Sequence, residues 1–88
     1  MLYELYIEHH AEKDLRKLAD SPLFSEITAK IKDLQGNPHP QGSKKIKSTH
    51  NDWRLRIGNY RVLYEINKTN RTITIMRVKH RRDVYRDL

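Results

Sequence analysis

Three arginines stand close together in one short, otherwise apolar segment of the sequence. Arg54, Arg56 and Arg61 lie within residues 52–66, DWRLRIGNYRVLYEI, where they alternate with apolar side chains. Gly58-Asn59 at the centre of the segment suits a two-residue hairpin turn with glycine first. That turn sets a register in which Arg56 and Arg61 face each other directly across two strands, with Arg54 two residues along on the same face.

The opposite face of this predicted hairpin is apolar and forms part of a core. Its members are Trp53, Leu55, Ile57, Tyr60, Val62, Tyr64 and Ile66. The charged face also carries Leu63 and Glu65, and a solvated polar face is one interpretation of it. However, like charges placed directly opposite each other destabilise a strand pair, so stability alone does not select this arrangement. Arginine offers a planar fork of donors that matches phosphate, and we therefore favour an anion site.

A second basic group follows at the end of the last predicted strand. Residues 79–86, KHRRDVYR, contain Lys79, His80, Arg81, Arg82 and Tyr85. Histidine is the side chain best suited to move protons near neutral pH, so His80 is a candidate proton carrier. Tyr85 is equally compatible with a core position and with an exposed ring on which a nucleobase stacks.

These groups suit the cleavage of RNA by its own 2′-hydroxyl. That reaction needs a base for the hydroxyl, cations for the charge that develops on phosphorus, and an acid for the leaving oxygen, and it needs no metal. We expect no cofactor and no metal. The sequence has no cysteine, no glycine-rich phosphate loop and no histidine–carboxylate spacing typical of a metal site.

The charge balance also indicates a polyanionic partner. Eighteen Lys and Arg against eleven Asp and Glu give a net charge of +7, and thirteen of the eighteen cations follow Leu34. Such a balance is typical of proteins that bind nucleic acid or an acidic protein. Lys44, Lys45 and Lys47 are candidate RNA contacts in a loop, together with Lys79 and Arg82, although a solvated lysine loop is an equal alternative.

Periodicity predicts the elements that position these residues, in a single domain over residues 1–88. An alternating strand at residues 2–9 precedes two amphipathic helices, the first over 11–20 and the second capped by Ser21, with Gly36 as its stop. A loop with a short strand at 44–47 leads to strands at 52–57, 60–66 and 72–79. We expect an α+β fold in which an antiparallel helix pair covers one sheet face, in a soluble, cytoplasmic protein.

Two segments resemble a known family, and this likeness covers the whole chain in element order. PHPQGSKKIKSTHNDWRLRIGNYRVLYEI and VKHRRDVYR are similar to the RelE/ParE superfamily of prokaryotic toxin–antitoxin systems. RelE-like members are ribosome-dependent mRNA interferases that cut codons in the A site, whereas ParE-like members inhibit DNA gyrase. The resemblance to the RelE branch rests on the match of Arg54, Arg56, Arg61, Arg81 and Tyr85 to its catalytic positions.

The resemblance implies roles for these positions and a partner. The basic cluster would bind and activate the scissile phosphate, Arg81 would assist the leaving group, and Tyr85 would stack on or orient the base. It also implies an acidic antitoxin, the ribosome and mRNA as partners. Arginines replace the lysines typical of the first hairpin strand, His80 replaces another basic residue, and Lys79 stands where glycine is common. A gyrase inhibitor and an inactive, antitoxin-bound relative remain the alternatives.

Overall fold

The computed structural model describes residues 2–47 and 49–83. Their elements are β1 (Glu4–Ile7), α1 (His9–Lys17), α2 (Phe24–Asp33), β2 (Ser43–Lys45), β3 (Asp52–Ile57), β4 (Tyr60–Asn67) and β5 (Thr72–His80). The strands form one sheet in the order β1-β5-β4-β3-β2. β1 runs parallel to β5 and the other neighbours are antiparallel, which confirms the α+β class.

Both helices contribute to one core on one face of the sheet. Ala11 of α1 and Ile27 and Ile31 of α2 are buried in the same apolar cluster as the inward side chains of the central strands. The apolar spacing of these residues along each helix therefore produces the packing that the sequence predicts. The predicted cap of α2 at Ser21 is wrong, because α2 begins at Phe24 with Leu23 as its N-cap residue. The Ser21 hydroxyl instead accepts the Leu23 N–H at 3.2 Å in the turn before the helix.

The first strand and the first helix differ from their predicted bounds. β1 spans only Glu4–Ile7, and its end is set by α1, which begins at His9 rather than at residue 11 and ends at Lys17 rather than at residue 20. β1 is an edge strand, and its neighbourhood carries the exposed apolar side chains Leu2, Tyr6 and Ile7. Neither helix in the part of the chain that the structure describes has the length and apolar composition of a membrane span.

The β3–β4 hairpin has the register that Gly58-Asn59 predicts. Cα partners pair 57 with 60, 56 with 61, 55 with 62 and 53 with 64. Gly58 has a φ of +56°, a left-handed conformation that glycine adopts without a steric penalty. The hairpin core face is confirmed as well, since Leu55, Ile57 and Val62 are buried.

A β-bulge interrupts the pairing of β4 with β5. Leu63 pairs with Arg77 and Tyr64 pairs with Ile75, so Met76 has no partner of its own on β4. The extra residue changes which face the following side chains occupy. Ile75 and Val78 are therefore both buried in the core although they are three residues apart.

Candidate functional site

The sheet places three cations in a row on the face opposite the helices. Arg56 of β3 pairs with Arg61 of β4, and Arg61 pairs with Lys79 of β5. Side chains of directly paired residues project from the same face of a sheet. A neighbouring row contains Lys44 and Arg54, which pair across β2 and β3. We call Lys44, Arg54, Arg56, Arg61 and Lys79 the basic face.

Lys79 belongs to the basic face because of the β-bulge. In an uninterrupted strand, residues 73, 75, 77 and 79 would share one face, which is the core face of Ile73 and Ile75. The extra residue at Met76 reverses this alternation, so Val78 faces the core and Lys79 stands beside Arg61. The signal was present in the sequence, since the apolar spacing changes from two residues to three between Ile75 and Val78.

Arg61 is buried, which a solvated polar face would not predict. The residue is 8% exposed, and its Nη1 donates to the carbonyl oxygens of Gly58 at 3.0 Å and Tyr60 at 2.9 Å. These bonds fix the guanidinium against the hairpin turn and compensate part of the cost of burying its charge. Arg56 across from it is exposed, and Arg54 is half-buried.

A cleft of about 340 Å³ opens between these side chains and the loop before β2. It is lined by Gly42, Ser43, Lys44, Arg54, Arg56 and Arg61. The loop is held in place by the backbone, because the Arg56 N–H donates to the Gly42 carbonyl at 3.1 Å. Four of the lining residues are cationic and none is a carboxylate, so the cleft favours an anion with several hydrogen-bond acceptors.

The structure does not bring His80 together with the arginines. His80 pairs with Tyr60, and the two ring centroids are 5.4 Å apart in an edge-to-face arrangement. Tyr60 packs against the core cluster, so His80 lies on the helix side of the sheet, opposite the basic face. There it borders a second cleft of about 240 Å³, whose lining includes the cations Lys17, Arg77 and Lys79 as well as Asp14 and Asp83. The sequence context of His80 is basic, but strand alternation directs the imidazole away from Arg61.

The other predicted contacts are distributed around this region. Arg81 follows β5 and is exposed, and its backbone N–H donates to the Asn59 carbonyl at 2.7 Å. Arg82 is exposed, and its backbone N–H lies 3.4 Å from His80 Nδ1. Lys45 pairs with Trp53 and so projects from the face opposite Lys44, whereas Lys47 lies in the exposed turn after β2. Tyr85 lies outside the described residues.

An ion pair attaches α1 to β5 next to the basic face. The Asp14 carboxylate accepts hydrogen bonds from Arg77 Nε at 2.9 Å, from Arg77 Nη2 at 3.2 Å and from the Val78 N–H at 2.9 Å. Burial acts to raise the pKa of Asp14, but the hydrogen bonds from Arg77 and Val78 outweigh it and hold the pKa below its ordinary value. The ion pair also raises the pKa of Arg77.

The loop before β2 is attached to the core by a buried tyrosine. The Tyr64 hydroxyl donates to the Pro38 carbonyl at 2.7 Å, and burial raises the pKa of Tyr64 to about 12. Within the described ranges, no group of three or more His, Cys, Asp or Glu side chains is arranged to hold a metal ion.

A family model and a sequence relative both match almost the whole chain. Residues 5–85 match the family model described as the ParE toxin of the type II toxin–antitoxin system. Toxin RelG of Mycobacterium tuberculosis is 33% identical over 86 residues, which cover 98% of this chain and 99% of that protein.

Solved structures with the same fold extend this likeness. The archaeal RelE–RelB complex from Pyrococcus horikoshii aligns with a TM-score of 0.79 and 27% identity, covering 92% of this chain and 97% of that one. The RelB–RelE antitoxin–toxin complex from Methanococcus jannaschii aligns with a TM-score of 0.76 and 30% identity, covering 94% and 98%. The chain therefore belongs to the RelE/ParE superfamily of toxins from type II toxin–antitoxin systems.

Proposed function

We propose that this toxin is an endoribonuclease that cuts mRNA in the ribosomal A site. The observation that carries the proposal is the row of Arg56, Arg61 and Lys79 beside a cleft lined by cations. A row of fixed cations on a sheet face suits one phosphodiester of an extended RNA strand. The relatives named RelE and RelG support the same branch of the superfamily.

In the proposed reaction, the RNA supplies its own nucleophile. The 2′-oxygen forms a bond to the adjacent phosphorus and gives its proton to solvent water, while the bond from phosphorus to the 5′-oxygen breaks and that oxygen takes up a proton from water. The products are a 2′,3′-cyclic phosphate and a 5′-hydroxyl. Negative charge increases on the phosphoryl oxygens in the transition state, and donors that are already in position stabilise it most effectively.

The residues of the basic face take different parts in this proposal. Arg61, which is buried and hydrogen-bonded, and Arg56 opposite it would stabilise the phosphoryl charge. Arg54 and Lys44 would bind the flanking RNA backbone, and Arg81 would neutralise the leaving oxygen. The residues that line the cleft include neither a carboxylate nor an imidazole. We therefore assign most of the rate enhancement to electrostatic stabilisation and give His80 no part in proton transfer.

The proposal includes an antitoxin as a partner. The structures from Pyrococcus horikoshii and Methanococcus jannaschii are complexes of RelE with RelB. A net charge of +7, with most cations in the C-terminal part, favours an acidic antitoxin segment over a neutral one. Binding over the basic face would compete directly with RNA.

Cleavage in a purified translation system tests the proposal. Ribosomes stalled on a defined mRNA should yield cuts within the A-site codon when the chain is added, and the same mRNA without ribosomes should stay intact. The matched variant Arg56→Gln retains hydrogen-bond donors without the charge, and we expect it to cut much more slowly. Intact mRNA with the wild-type chain on programmed ribosomes would contradict the proposal.

A second candidate function is inhibition of DNA gyrase. It is favoured by the match of residues 5–85 to the ParE toxin model. In this case the basic face would bind an acidic protein surface rather than RNA. A supercoiling assay with purified gyrase separates the two functions, because an mRNA interferase leaves supercoiling unchanged.

A further inference from the structure

The two-residue turn between β3 and β4 binds the side chain of one arginine of the proposed site and the backbone of another through neighbouring carbonyls. The Gly58 carbonyl accepts a hydrogen bond from Arg61 Nη1 at 3.0 Å. The Asn59 carbonyl accepts one from the backbone N–H of Arg81 at 2.7 Å. One turn therefore contacts both the arginine of β4 and the segment that carries Arg81 beyond the end of β5.

The conformation of this turn depends on the backbone of Gly58 rather than on packing around it. Gly58 has a φ of +56°, and a Cβ built at this position would meet no atom within 4 Å. A substitution here would therefore act through the left-handed backbone conformation alone. Among residues other than glycine, asparagine is one of the types enriched at positive φ, whereas a β-branched residue is strongly disfavoured there.

The Gly58 and Tyr60 carbonyls also determine the direction in which the other N–H groups of the Arg61 guanidinium point. Its Nη1 is bound by the oxygens of Gly58 and Tyr60, which lie on the two sides of Asn59 in the chain. Nε and Nη2 carry the other three N–H groups of the planar guanidinium. Because the guanidinium is planar and Arg61 as a whole is 8% exposed, fixing Nη1 fixes the direction of those three N–H groups as well.

We infer that the Gly58-Asn59 turn is a positioning element that sets Arg61 and Arg81 relative to each other before substrate binds. This inference rests on the proposed function, because it assigns the two arginines to one phosphodiester. The Arg61 side chain is fixed in advance and so loses less entropy on binding its ligand, while the bond to the Arg81 backbone places the segment from which the Arg81 side chain extends. An electrostatic site works best when its donors do not need to reorganise. The alternative is an ordinary hairpin turn whose carbonyls bind Arg61 and Arg81 without consequence for activity.

Two substitutions at Gly58 separate these alternatives. Gly58→Val opposes the left-handed conformation, and Gly58→Asn is the matched control, which also adds a side chain in open space but tolerates a positive φ. We expect Gly58→Val to lower the cleavage rate at saturating ribosomes on the order of 10²-fold, since small misplacements of a catalytic group have effects of that size. Gly58→Asn should retain the rate within about tenfold.

Two spectroscopic measurements, which do not depend on activity, are made on the same variants as the cleavage rates. In NMR spectra of the wild-type chain, we expect resolved Nη signals for Arg61 and slow hydrogen exchange of the Arg81 amide. Both should be kept in Gly58→Asn and lost in Gly58→Val at a temperature where each variant is folded. If Gly58→Val does not fold, Gly58→Ala takes its place, with a smaller change expected in the same direction.

The outcomes distinguish this inference from the proposed function. A wild-type chain that does not cut mRNA rejects the proposed function, whereas the NMR and exchange data still report whether the turn holds Arg61 and Arg81. If the valine variant loses both spectroscopic signals but cuts at the wild-type rate, the turn does not position the site. If both signals persist in the valine variant, the carbonyls of the turn do not hold these residues through the conformation of Gly58. The inference is supported if Gly58→Val loses both the NMR signals and the cleavage rate while Gly58→Asn keeps both.

Discussion

At the residue scale, the main feature is a pair of arginines that face each other across two strands. Arg56 and Arg61 are direct partners, and like charges in this arrangement destabilise a strand pair by about 0.2–1 kcal/mol. Arg61 is compensated in part by the carbonyls of Gly58 and Tyr60. Arg56 is exposed, and its contribution to the site is its charge. Removing that charge should therefore lower activity without lowering the stability of the fold.

We predict that Arg56→Ala lowers mRNA cleavage by about 10²–10³-fold, the loss typical of a single transition-state donor. The same change should leave the free energy of unfolding unchanged or raise it by up to about 1 kcal/mol, because the repulsion with Arg61 is relieved. Cleavage on programmed ribosomes and urea denaturation measure the two quantities. Lys68→Ala is the control, since Lys68 is an exposed cation in the β4–β5 turn and should affect neither. A variant that is destabilised and still active would contradict this assignment.

The sequence predicted which residues pair across the strands, but it did not predict how deeply Arg61 is buried or on which side of the sheet His80 lies. The alternation of residues 52–66 and the Gly58-Asn59 turn were sufficient to predict the pairing of Arg56 with Arg61. The burial of Arg61 was not predictable, because it depends on carbonyls whose direction follows from the turn geometry. The grouping of His80 with the arginines followed from its neighbours in sequence, whereas strand alternation places it on the helix side.

At the element scale, Asp14 of α1 is hydrogen-bonded to β5 at the part of β5 that extends beyond its pairing with β1. β1 pairs with β5 only as far as Ile75, and past that point the Val78 N–H donates to the Asp14 carboxylate instead of to a strand. The Asp14 side chain is 11% exposed. It therefore satisfies the Val78 N–H at the free edge of β5 and pairs with the Arg77 side chain.

Asp14→Asn should lower the free energy of unfolding at pH 7 by about 1–3 kcal/mol, the contribution of hydrogen bonds to a charged group. The folded-state pKa of Asp14 lies below its ordinary value of 3.8. Its stabilisation is therefore present above pH 3.8 and is lost as the pH falls through the folded-state pKa. Denaturation series between pH 2 and pH 7 should show the wild-type and variant curves converging at the acid end.

Glu12→Gln on the same helix is the control for this prediction. Glu12 pairs with Arg16 at 2.8 Å, but both side chains are exposed. Exposed pairs of this spacing contribute about 0.3–0.5 kcal/mol. An effect of Asp14→Asn no larger than that of Glu12→Gln would show that the contact of α1 with β5 is not stabilising.

The elements themselves were largely predictable, and the exceptions have physical reasons. Strands β3, β4 and β5 agree with the predicted ranges within one residue, because their apolar alternation is regular and turn residues bound them. The β-bulge at Met76 was not predicted, because its sequence signal is only the change in apolar spacing from two residues to three between Ile75 and Val78, within a run that otherwise alternates like a regular strand. β1 is shorter than its alternation suggests, because α1 begins directly after Glu8.

At the scale of the whole molecule, the charge is distributed to suit a polyanion. Thirteen of the eighteen cations follow Leu34, and five of them form the basic face of the sheet. Binding of RNA to such a face releases counterions and weakens as salt increases.

We predict that Lys44→Gln reduces the slope of log affinity against log salt by about one for the binding of a short single-stranded RNA. Lys44 lines the cleft and pairs with Arg54, so its amine is placed to contact a phosphate. Lys68→Gln removes the same charge from the distant β4–β5 turn and should leave the slope unchanged. Equal reductions for the two variants would indicate that net charge, and not the basic face, determines binding.

The most direct test of the central claim is sequencing of mRNA ends on programmed ribosomes exposed to the purified chain. We predict new 5′-hydroxyl ends within the A-site codon, upstream fragments that end in a 2′,3′-cyclic phosphate, and loss of both with Arg61→Ala. Arg61→Ala must be shown to be folded in the same preparation. Intact mRNA with the wild-type chain, or undiminished cutting with the folded Arg61→Ala variant, would contradict the assignment of the basic face as the site of RNA cleavage.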